Sequence, residues 1–76
     1  KGGKAELVEV TLADNSPARD KQLSELQMPR SASVVAIVRD SRVLMPTPDM
    51  VLRIGDEVMA LITEDAEAAV QQILIG

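Results

Sequence analysis

Five consecutive apolar residues, Val34 to Val38, run into a polar break at Arg39, Asp40, Ser41 and Arg42, and three more, Val43 to Met45, lead to Pro46. Two β-rich runs joined by a minimal polar turn predict a hairpin. The first run is apolar at every position, whereas a strand with one face in water alternates. It is therefore expected to be covered on both faces.

The rest of the chain is read around that hairpin. From Glu6 to Leu12, Val8, Val10 and Leu12 fall on one side and Leu7, Glu9 and Thr11 on the other, which predicts a half-buried strand. Asp14, Asn15, Ser16 and Pro17 form a turn that stops it. Leu23 and Leu26 share a helical face, Asp20 is placed to cap it, and Pro29 ends it, predicting a short helix of about two turns. Ser16 as cap with Pro17 at the first helical position is the alternative start. Pro46 and Pro48 remove two ladder donors, so 46–49 reads as an ordered extended loop, with a brief strand near Met50 to Leu52. Ile54-Gly55-Asp56 reads as a tight turn. Glu57 to Ile62 is the last strand, apolar on both faces after Glu57. The final segment places Ala66, Ala69, Val70, Ile73 and Leu74 on one stripe, with Thr63 as N-cap and Glu64 and Asp65 at the positive end of the helix dipole. The expectation is an α+β fold: a mainly antiparallel sheet of about four strands, two helices on one face, in the order β-α-β-β-β-α.

Composition narrows the functions. With 76 residues the chain is one domain at most and folds with little margin. It has no Cys, His, Phe, Tyr or Trp. Neither an ordinary zinc site nor a His-dependent nucleophile can be assembled, so no catalytic residues, no metal ligands and no enzyme activity are expected. Without aromatics there is no stacking platform for single-stranded bases. A net charge of −4 opposes a phosphate backbone, so no nucleic-acid partner is expected. No apolar run approaches the roughly 20 residues of a membrane span, and no signal-peptide pattern is present, which predicts a soluble, intracellular module without membrane insertion. Lys1 to Lys4 reads as a linker end or cloning remnant, with the domain in 5–76.

Four features occur in an order that resembles the TrkA C-terminal (RCK-C) domain. They are Asn15-Ser16-Pro17 followed by Leu23 and Leu26, then the apolar strand ending Val38-Arg39-Asp40. Val43-Leu44-Met45-Pro46 with Pro48-Asp49 follows, and then Leu52, Gly55-Asp56 and Val58. The resemblance covers about Ala5 to Ile75; many relatives carry Gly where this chain has Asp20. It implies a cytoplasmic regulatory domain of a potassium or other cation channel or transporter. Such a domain works as a homodimer attached to an upstream nucleotide-binding domain or a membrane transporter. It also implies a small regulatory ligand in the dimer cleft, cyclic di-AMP in certain bacterial members.

Two sets of residues become candidates. The apolar strand Val34, Val35, Ala36, Ile37 and Val38 is the expected dimer interface, because two helices cover only one face of such a sheet. Arg39, Asp40 and Arg42 at the hairpin turn, with Pro46 and Pro48, are the candidate ligand site. Arginine forks suit phosphate oxygens and prolines preset a rigid wall. The bland readings stand beside these: a solvated turn with an Arg39–Asp40–Arg42 ion pair of little worth, and a structural loop. A purely structural oligomerisation module is the alternative function. A swapped-hairpin DNA-binding domain, which shares the Leu52-Gly55-Asp56-Val58 pattern, is the weakest.

Overall fold

The computed structural model describes residues 4–76; Lys1 to Gly3, most of the expected linker, lie outside the described residues. Four strands, β1 (Ala5–Thr11), β2 (Ala32–Arg39), β3 (Arg42–Leu44) and β4 (Glu57–Thr63), form one antiparallel sheet in the order β1-β4-β2-β3. A single α-helix, α1 (Glu67–Leu74), packs on one face, entered through a 3-10 turn at Glu64–Ala66. The α+β class and the four antiparallel strands are as expected; the second helix is not.

In its place stands one 3-10 turn, Leu23–Glu25, capped by Gln22 and Glu25 in a reciprocal box. Asp20 does not cap it. Its φ is 66°, the left-handed region, and its amide donates to the Leu52 carbonyl at 2.8 Å. The peptide groups of 20–24 are occupied by the extended 48–52 segment. Leu52 donates to Lys21, Leu23 to Met50 and Ser24 to Pro48 at 2.9, 3.0 and 3.0 Å. Donors used across the chain are unavailable for a helical ladder, so two apolar positions at helical spacing did not suffice. The brief strand expected near Met50 to Leu52 is a single bridge, Val51 to Gln22.

The inner face of the sheet carries Val8, Val10, Val34, Ile37, Val58, Ala60 and Ile62. They meet Ala66, Val70 and Leu74 of the helical segment and Leu12, Ala18, Leu26 and Leu52 of the loops. Ala69, expected on the buried stripe, is exposed. Thr63 sits at the N-cap position, but its hydroxyl bonds the Asp65 carboxylate rather than a backbone amide. The other end of α1 is fastened by buried Ser16, whose Oγ donates to the Leu74 carbonyl at 2.6 Å and accepts the Ala18 amide at 3.1 Å.

The β2–β3 hairpin closes through Asp40 and Ser41, with φ of 52° and 64°, the pattern of a type I′ turn. The partner of Arg39 is Asp56, not Asp40. Nε and Nη2 of Arg39 reach the two carboxylate oxygens at 2.9 and 2.7 Å, and Nη2 also donates to the Val51 carbonyl at 2.9 Å. Asp56 is buried and takes the Arg53 amide at 2.9 Å. Burial alone would push its carboxyl up; the hydrogen bonds from Arg39 and Arg53 outweigh it and hold the group below its ordinary range. The same hydrogen bond raises the Arg39 guanidinium against its own desolvation. Gly55, at φ 88°, makes the turn that aims Asp56 inward.

A buried fork of this kind is costly to halve. Asp56→Asn is expected to lower stability by about 3 kcal/mol in urea denaturation. Because the folded Asp56 carboxyl is depressed, its contribution is present above about pH 4 and is lost as pH falls through the folded value. The acid limb of the stability curve is therefore shallower in Asp56→Asn than in the parent. Independently, Asp20→Gly relieves a left-handed backbone and is expected to raise stability by about 0.5 kcal/mol; an unchanged or lower urea midpoint contradicts that reading.

Candidate functional site: a cleft on the open edge of β2

Pro46 ends the hairpin early. With β3 reduced to Arg42–Leu44, β2 is paired on that side only at Ile37, Val38 and Arg39. Its first half, Ala32 to Val35, is left with an open edge. Thr63 donates to the Ser31 carbonyl at 3.0 Å, so ladder alternation turns the Val34 N–H and C=O away from β4, toward that edge.

A cleft of about 370 Å³ lies along it. Ala32, Ser33 and Val34 form its floor, Leu23, Ser24 and Met28 one wall, and Pro46, Thr47 and Pro48 the other. The walls are joined where Ser24 donates to the Pro48 carbonyl at 3.0 Å, and the proline wall is braced by Thr47 Oγ1 donating to Asp49 Oδ1 at 2.9 Å. The lining is apolar apart from three hydroxyls and the free β2 backbone, and no ionisable side chain enters it. Such a surface suits a flat heterocycle with hydrogen-bonding edges better than a bare anion.

The sequence-derived site divides in two. Pro46 and Pro48 come together in the cleft. Arg39, Asp40 and Arg42 do not line it; with Leu44 they line a separate depression of about 500 Å³ at the hairpin tip. Arg39 is held there by Asp56, and Arg42 forms no ion pair among the described residues. Sequence reasoning missed Leu23, Ser24, Met28, Ser33 and Thr47. Their signal lay in the prolines, which shorten β3 and so expose the β2 edge.

The expected interface strand is also divided. A bulge between Val34 and Ala36 lets Val34 and Ile37 both point inward. Ile37 is fully buried by its own chain and reaches no partner surface. Ala36 and Val38 point outward, and Val35, at the bulge, is exposed. The uninterrupted apolar run thus reflects a bulge together with an apolar outer face. That face continues across the sheet through the cross-strand pairs Leu7–Leu61, Ala36–Met59 and Val38–Val43. Leu7, Leu61 and Val43 are 53%, 44% and 70% exposed, so no part of the described chain covers the face. Ser33 belongs to both regions: it lines the cleft and pairs with Leu61 on the outer face.

Among the described residues no cluster of His, Cys, Asp or Glu is arranged to hold a metal ion, and no helix is long and apolar enough to cross a membrane.

Comparison with known proteins places this architecture. The Trk system potassium uptake protein TrkA of Mycobacterium tuberculosis is 41% identical over 73 residues, covering 96% of this chain; the chain spans 33% of that relative's length. Among solved structures, the RCK_C domain dimer of S. agalactiae BusR in complex with c-di-AMP aligns with a TM-score of 0.77 at 24% identity, over 95% of this chain and 93% of that one. BusR in complex with its busA-promotor DNA shares the fold over 37% of its chain, 92% of this one, with a TM-score of 0.76 at 23% identity. The RCK C domain of the potassium transport protein KtrA in complex with c-di-AMP aligns with a TM-score of 0.76 at 17% identity, over 91% and 82%. Residues 7–75 match the TrkA-C domain model, and the chain belongs to the TrkA-C domain family.

Proposed function

We propose that this TrkA-C domain is the ligand-sensing dimerisation module of a potassium transport system, acting at the cytoplasmic face of the membrane. The observation that carries the proposal is the continuity of cleft and outer sheet face at Ser33. A second copy seated on the outer face stands at the rim of each cleft, so ligand binding and dimer geometry are coupled. A nucleotide that fits one dimer geometry better than another shifts the population toward it, and an attached neighbouring domain or transporter reads the shift.

The BusR and KtrA domains of the same fold are bound to c-di-AMP, which makes that molecule the first ligand to test. Its two adenines suit two uncharged clefts related by a dyad. The hairpin tip takes no part: Arg39 is committed to Asp56, and Asp40 and Arg42 line a different depression. The net charge of −4 leaves DNA a poor partner for this domain itself.

Isothermal titration with c-di-AMP is expected to give heat. Thr47→Phe, an exposed cleft-wall position, is expected to weaken binding by about tenfold or more while the urea midpoint is kept. Arg42→Ala is expected to leave the affinity unchanged. Absence of heat and of a thermal shift with c-di-AMP would reduce the domain to a structural oligomerisation module. For the dimer, sedimentation at micromolar concentration is expected to give twice the chain mass, and Leu61→Lys to return it to the monomer. A parent that sediments as a monomer across that range removes the dimer from the reading.

A further inference from the structure

The outer edge of β1 is the second open edge of the sheet, and it lies at the far side from the cleft. Leu12 donates to the Asp56 carbonyl at 2.8 Å, which sets the ladder alternation: Leu12, Val10, Val8 and Glu6 bond toward β4. Ala5, Leu7, Glu9 and Thr11 therefore present their N–H and C=O groups outward along a strand of seven residues. No proline interrupts it.

Beside this edge, on the helix-covered side, is a groove of about 120 Å³ between β1 and α1. Val8, Val10, Val70 and Ile75 make it apolar, and Glu67 stands at its rim. Ile75 is 51% exposed there, and Leu7 offers a second apolar contact on the opposite face of the sheet.

Charge is distributed to match. Residues 4–12 and 57–76, which contain β1, β4 and α1, hold six carboxylates, Glu6, Glu9, Glu57, Glu64, Asp65 and Glu67, against the single ammonium of Lys4. Residues 13–56 hold six acidic and six basic side chains and are neutral. The excess negative charge of the chain therefore lies on the half of the domain that bears the β1 edge.

We propose that β1 is a docking edge for an extended, basic and apolar polypeptide segment of a partner protein, which adds to the sheet as a fifth strand. Backbone groups of Leu7, Glu9 and Thr11 hold the segment. Its inward residues are apolar and enter the β1–α1 groove. Its outward residues are Lys or Arg and lie over Glu9, with Glu6 and Glu67 favouring the same sign of charge. A second copy of this chain is disfavoured at the edge, because antiparallel β1–β1 pairing brings together two strands, Ala5–Thr11, that each carry Glu6 and Glu9 and no basic residue. The proposal requires neither the cleft nor the outer-face dimer.

The test uses a fluorescent, end-blocked peptide that alternates valine with lysine and matches the seven residues of β1, alongside a composition-matched peptide with its lysines grouped at one end. Fluorescence anisotropy is expected to show binding of the alternating peptide about tenfold tighter than the grouped one. Hydrogen exchange of the Leu7, Glu9 and Thr11 amides is expected to slow about tenfold on saturation with the alternating peptide. Glu9→Pro removes one outward donor at a position where an edge strand tolerates proline and is expected to abolish the preference. The charge variant Glu6→Gln with Glu9→Gln keeps the strand and weakens binding. Equal binding of the two peptides, or unchanged exchange at the three amides, overturns the proposal. So does protection of those amides in the peptide-free protein, which would assign the edge to a second copy.

Discussion

A four-stranded sheet has two faces, and this chain carries material to cover one. α1 and the loops around Ala18, Leu26 and Leu52 close the inner face, and the bulk of the buried apolar surface gathers there. The outer face retains Leu7, Leu61 and Val43 in the open. At about 25 cal/mol per Å² of apolar surface removed from water, a face of this kind favours association. A domain so short and without aromatics has little stability to spare, so burial supplied by a second copy bears on folding as well as on function. In the proposed dimer, coupling between ligand, dimer and fold follows from size: the same small reserve of burial serves all three.

Much of this was legible in the residues. Alternation in β1 placed Val8, Val10 and Leu12 inward, the i, i+3, i+4, i+7, i+8 stripe of Ala66, Ala69, Val70, Ile73 and Leu74 predicted the helix, and the polar break from Arg39 to Arg42 predicted the hairpin. What failed did so for identifiable reasons. Leu23 and Leu26 have helical spacing, but the 48–52 segment takes their neighbours' backbone groups, a tertiary claim that no local pattern announces. The unbroken run Val34 to Val38 hides the Val34–Ala36 bulge, which is invisible to a count by twos. Asp20 looked like a cap because aspartates often are; at φ 66° it occupies a position suited to glycine.

The candidate site shows the same division. Pro46 and Pro48 pointed to the cleft because their effect is local: they end β3 and stiffen a wall. The pairing of Arg39 was misassigned because charge was weighed against sequence neighbours. Asp40 is adjacent to Arg39, yet Asp56, remote in the chain, holds it with two hydrogen bonds. In a protein interior a buried carboxylate outcompetes an exposed one for a guanidinium, since it has lost the water that an exposed one keeps. The buried Asp56 thus fixes the Arg39 side chain at the hairpin tip.

That fork also explains how a cleft so lightly built stays shaped. Arg39 ties the turn end of the hairpin to the 51–56 segment, the stitched 48–52 segment ties that to the 3-10 turn, and Ser16 ties the first loop to the end of α1. The cleft walls are therefore positioned by hydrogen bonds that lie outside the cleft itself. The β2 edge between them keeps its Val34 backbone groups unspent by the sheet. On the proposed reading, a ligand that takes those groups completes a ladder which Pro46 cut short, beside Ser33, where the inner cleft meets the outer face.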